Sequence, residues 1–124
     1  MNWTRLAAAL MGLTFLLHVF AGGPEVHDPL QVALSDPILA AFAAVLWHLV
    51  TVALVVLAGG LWVLAQRHDP ALEAILSGIQ LGFAAVFIFY GLTRLGTVIL
   101  MNQWTIFLII PALTRFGQSR RTSQ

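Results

Sequence analysis

His18-Val-Phe-Ala-Gly-Gly-Pro-Glu-Val-His-Asp-Pro-Leu30 is the stretch on which the fold turns. An apolar run meets two glycines, two prolines, two acids and two histidines within thirteen residues. Upstream, residues 6–21 are apolar apart from Thr14 and His18. With Trp3 and Phe20 as interfacial anchors, this segment approaches the ~20 residues that a 30 Å hydrocarbon core requires. Gly22-Gly23-Pro24 is expected to end it, because glycine accepts a left-handed cap and proline cannot continue a helix.

The bulk composition favours a bilayer as solvent. Of 124 residues, 60% are hydrophobic and 9% charged, and mean hydropathy is +0.92. A soluble domain carries about 25% charge, so this chain has too little polar surface to cover itself. Net charge is +1, all six basic residues are arginine, and no basic run suggests nucleic acid. Cysteine is absent, which removes thiol catalysis, thiolate metal sites and disulfides.

Asp28-Pro29, Asp36-Pro37 and Asp69-Pro70 each read as an N-cap followed by proline at the first helical position. The second and third start long apolar segments over residues 37–66 and 71–93. The first starts a short helix, 29–34, expected at the interface or folded over the bundle as a lid. At 1.5 Å per residue, the 37–66 segment is about 45 Å long and must tilt or project. Gly91 and Gly96 bracket a turn around Arg94, and residues 97–114 read as a fourth span that Pro111 kinks or ends.

The expected fold is therefore an all-α membrane protein, four transmembrane helices in an up-down bundle with a short interfacial helix between the first two. Its single domain covers residues 1–117, with spans at 3–22, 37–66, 71–93 and 97–114 and a disordered tail from 118. Placing both termini in the cytoplasm puts Arg5, Arg67, Arg115, Arg120 and Arg121 inside and only Arg94 outside. That is the pattern of a multi-pass inner (plasma) membrane protein. Size alone is similar to small multidrug exporters and fluoride channels. The deep first-span glutamate of the former and the glycine-rich arginine motif of the latter are missing.

Depth suggests where chemistry gathers. His18 lies about 20 Å from Arg5 along its helix, and His48 about 28 Å from Arg67. Both imidazoles then fall in the outer half of the bilayer, where ionisable groups mark sites unless they only bond a hydroxyl or carbonyl between helices. Thr14 and Thr51 share their faces as structural polar contacts, and Gln80 reads as interhelical glue. Arg94 is expected to pair with Glu25 or Asp28 or to hold an anion. His18, His48, Glu25, Arg94, Asn102 and Gln103 are thus expected to converge on an outward-facing pocket. His27 reads more simply as a solvated loop residue.

The leading function is binding of a small ligand or metal ion there, as a sensor or accessory subunit. His18 and His48 would be the ligands for Zn or Cu, although no HExxH spacing is present. Bis-imidazole ligation of haem b is a further expectation, as is an outer-leaflet enzyme using a histidine base. Transport of an ion or small solute would require a homo-oligomer or a larger membrane complex. A reporter fused after Gln124 is expected to read cytoplasmic, and a periplasmic signal would overturn the orientation.

Overall fold

Aspartates and one asparagine start the helices. In the computed structural model, which describes residues 2–122, Asn2 accepts from the Arg5 N–H at 3.2 Å and opens α1, Trp3–Leu17. Asp36 accepts from Ile38 and Leu39 at 2.8 and 3.3 Å to start α3, Pro37–Leu64. Asp69 accepts from Leu72 at 3.0 Å to start α4, Pro70–Leu95. In both, the following proline occupies the first turn, where its missing N–H costs nothing. Gly96, at φ 67°, caps α4 in the left-handed region, and the Thr97 N–H closes onto Gly91 O at 3.1 Å. A 3₁₀ turn, Ile99–Met101, leads into α5, Trp104–Thr122. Among the described residues everything regular is helical.

The first corrections lie in the opening stretch. Gly22-Gly23-Pro24 does not end the helix, because a π-helical segment, His18–His27, carries it through into α2, Asp28–Ala33. Asp28 has helical dihedrals, φ −64° and ψ −46°, and caps nothing. Instead its N–H bonds Gly23 O five residues back, the signature of the wider helix. The physical reason is Pro24. In an α-helix its ring meets the carbonyl four residues earlier and its absent N–H breaks the ladder. Widening the coil moves that carbonyl aside, and two small glycines leave room for the change.

Among the described residues, Trp3–Ala33, α3 and α4 are the three helices long and apolar enough to cross a membrane, at 31, 28 and 26 residues. Their outer surfaces carry large exposed apolar side chains such as Phe42, Leu46, Val56 and Phe89. α5 is not among them. The chain spends residues 97–103 on the turn, and Arg115 and Arg120 follow soon after the apolar run. The sequence expectation that Pro111 ends or kinks a fourth span meets a helix continuing to Thr122.

The core joins α1, the second half of α3, α4 and α5 through Ala7, Met11, Leu57, Leu61, Leu76, Ala84, Phe107 and Ile110. Gly60 lets α4 approach closely, since a Cβ there would lie 2.7 Å from Leu76 Cδ2. No residue of the π segment or α2 is buried, and in α3 burial begins only at Leu54. The outer half of the α1–α3 hairpin therefore stands clear of the core.

At the opposite end, Gln118 is 1% exposed and ties three elements together. Its amide donates to Leu64 O at 3.1 Å and Thr4 Oγ1 at 3.3 Å, and its carbonyl oxygen meets His68 Nδ1 at 2.9 Å. Asn2 donates to Ala65 O at 3.3 Å beside it. Gly117 permits the approach, as a Cβ there would reach within 2.9 Å of the Thr4 nitrogen. The expected tail from residue 118 is thus helical as far as Thr122, and residues 123–124 lie outside the described residues. Gln118→Leu is expected to destabilise the protein by roughly 2–4 kcal/mol, because it removes three bonds and strands buried partners. Unfolding in detergent titrated with denaturant measures it.

Candidate histidine–tryptophan site

The π segment decides which side chains meet. His18 and His27 are 27 − 18 = 9 residues apart. Nine residues are about two and a half turns of α-helix and would set the rings on opposite faces. A coil bonded at the fifth residue takes about 4.4 residues per turn, so nine make about two turns. Both rings consequently face α3.

There they meet Trp47. The His18 ring stacks on the indole at 4.0 Å between centroids with planes 20° apart. The His27 ring stacks at 5.2 Å and 26°. Gly22 lies between the two histidines on the π coil, and a Cβ there would stand 3.1 Å from Trp47 Cη2. A bulky residue at that position would push the indole off both rings. His27 also faces His48 at 5.7 Å between centroids, with the planes tilted by 59°.

Hydrogen bonds fix one end of the cluster. Thr51 Oγ1 donates to Trp47 O at 3.1 Å, which uses its only proton. His18 Nε2, 3.1 Å from that oxygen, is therefore the donor, a tautomer assigned from the network. The other end is open. His27 Nδ1 is buried with no hydrogen-bond partner, and among the described residues the half-exposed chain around it supplies none. His48 makes no hydrogen bond among the described residues and is exposed.

Nothing matches this chain among family models, curated proteins or solved structures. The site is read from its own geometry.

Of the residues expected to converge on a pocket, the structure brings two into one neighbourhood. His18 and His48 belong to one cluster, but the ring contact joins His27 to His48, and His18 turns to Trp47 and Thr51 instead. His27, set aside as a solvated loop residue, is central because the helix continues where a loop was expected. Glu25, Arg94, Asn102 and Gln103 are exposed, and the substantial packing of the π segment is with its chain neighbours and α3. Arg94 forms no ion pair with Glu25 or Asp28 among the described residues.

Thr14 bonds its own helix, donating to Leu10 O at 2.8 Å. Gln80 is fully buried and likewise bonds its own helix, Nε2 to Leu76 O at 3.0 Å, leaving Oε1 without a partner. Among the described residues no group of three or more His, Cys, Asp or Glu is arranged to hold a metal ion. Trp47 is the residue that sequence reasoning underweighted. Gly22 faces it across the two-helix seam, a contact set by the π coil and not visible in the sequence.

The register is testable because the chain has no cysteine of its own. A variant with His27→Cys and His48→Cys is expected to crosslink within one chain with a short bifunctional thiol reagent. Adding Pro24→Ala removes the reason for the wide coil and is expected to lower that yield several-fold, read by intact mass.

Proposed function

We propose that this is a multi-pass plasma-membrane protein that binds a small ligand or metal ion at the His18–His27–His48–Trp47 cluster. It acts as a sensor or accessory subunit. In this reading α5 and the turn before it complete a fourth crossing of an up-down bundle, and both termini are cytoplasmic. The arginine distribution supports that orientation, with Arg5, Arg67, Arg115 and Arg120 at one end and Arg94 at the other. The cluster then lies in the outer half of the bilayer. α2 lies over its outer end as a lid, tied to α3 by Gln31 Nε2 on Ala40 O at 3.3 Å.

One observation carries the reading: the buried, unpartnered His27 Nδ1, beside a second imidazole and an indole face. A buried nitrogen without a partner costs about 1–3 kcal/mol, and a ligand that engages it removes that cost. Imidazole nitrogens suit Zn, Cu or Ni, and the stacked rings also offer a flat face to an aromatic or cationic molecule.

The protein purified without chelators is expected to retain a metal ion or a non-lipid adduct, seen by elemental analysis and native mass spectrometry. Combining His27→Ala with His48→Ala should remove it. Equally empty spectra and equal metal content in the two proteins would end the binding proposal.

A further inference from the structure

A second polar place lies at the other end of the molecule, on the seam between α4 and α5. Glu73, in the first turn of α4, is 5% exposed, and among the described residues its side chain's only partner is Arg115 of α5 at 3.5 Å. That distance is at the outer limit of a hydrogen bond. The arginine side chain is 79% exposed, so most of its five donors point away from the carboxylate. Beside the pair opens a groove of about 260 Å³, lined by Glu73, Ser77 and Arg115 at its polar end and by Leu81 and Pro111 at its apolar end. Ser77, one turn below Glu73, makes no hydrogen bond among the described residues, although it sits half-buried in the groove wall.

The Glu73 side chain is largely buried and has one long contact among the described residues, so its free oxygen is left to whatever occupies the groove. The missing complement is a second cation with N–H donors. The position supplies one, because α4 is long and apolar enough to cross a membrane and Glu73 lies one turn inside its polar end. That is the level of lipid headgroups. The exposed guanidinium a few ångströms away is a phosphate binder by geometry and charge. A cation beside an anion, with an apolar furrow leading from both, matches a phospholipid whose headgroup carries a primary amine.

We propose that the α4–α5 groove binds a primary-amine phospholipid, with the ammonium on Glu73 and Ser77, the phosphate on Arg115, and an acyl chain along Leu81 and Pro111. A headgroup with only a negative charge meets the Glu73 carboxylate and is disfavoured. A trimethylated amine brings charge but no N–H donor.

The test uses the full-length protein in nanodiscs containing equal parts phosphatidylethanolamine, phosphatidylcholine and phosphatidylglycerol, with retained lipids read by native mass spectrometry. Wild type is expected to retain the ethanolamine lipid about tenfold over the choline lipid, the worth of one charge-assisted hydrogen bond. Glu73→Gln should abolish the preference for ethanolamine over choline lipid, and Arg115→Gln should weaken retention of both. Soluble phosphoethanolamine at millimolar level should fail to displace the lipid, since it lacks the chain. Displacement by it would overturn the lipid assignment in favour of a free phosphate ester. Should Glu73→Gln fail to fold, the wild-type comparison of the two headgroups decides alone. Retention that mirrors the bulk mixture overturns the proposal.

Discussion

Pro24, inside the Trp3–Ala33 helix, sets the terms for the hairpin that this helix forms with α3. A backbone that loses a hydrogen bond within a helix must recover it from another partner. Pro24 cannot donate, and its ring excludes the ordinary α-helical carbonyl. The chain answers with a wide coil over His18–His27, closed by the Asp28 N–H on Gly23 O. Continuity of the helix follows, so that Trp3–Ala33 is one 31-residue rod. The register of the histidines follows as well, because only a coil of about 4.4 residues per turn brings side chains nine apart onto one face. The same substitution of bonding that keeps the backbone satisfied therefore builds the cluster around Trp47.

The molecule divides into a fastened end and a free end. Buried apolar side chains of α3 begin at Leu54, and the Gln118 bonds to Thr4, Leu64 and His68 lock α1, α3 and α5 together beyond them. The outer hairpin has no buried residue in either the π segment or α2, and is held by ring stacking and by the Gln31 bond to Ala40. Local stability tracks buried contact, so the outer half opens at lower free energy than the knot. The proposed binding site lies in that less fastened half, apart from the core.

Much of the helical layout was legible in the sequence, and the reasons are local. Asp36-Pro37 and Asp69-Pro70 each place a carboxylate on free N–H groups, and those helices start there. The apolar lengths of three segments are read directly from composition. The reading failed where a local rule met a longer-range demand. Asp28-Pro29 has the same two residues, yet the helix arrives already formed and Asp28 has no free amides to cap. Glycine and proline at positions 22–24 ordinarily signal a stop, whereas here the π coil bonds past Pro24 and carries the helix on. The fate of residue 118 was hidden for a related reason. A glutamine among arginines and serines reads as a solvated tail until the Leu64 carbonyl and the Thr4 hydroxyl come within its reach. Neither partner is near it in sequence.

Three side chains that carry buried polar atoms differ in the partners the fold supplies. Gln118 spends both ends of its amide on partners and needs nothing more. Gln80 returns its NH₂ to its own helix and leaves Oε1 bare, but it is surrounded by the apolar core and has no second polar group to share a ligand with. His27 leaves Nδ1 bare in different company: another imidazole at 5.7 Å and an indole at 5.2 Å. An isolated orphan in a packed core is a stability cost that the fold absorbs. His27 Nδ1 instead lies beside the rings of His48 and Trp47, on a part of the hairpin with no buried residue, and the proposed binding rests on that company.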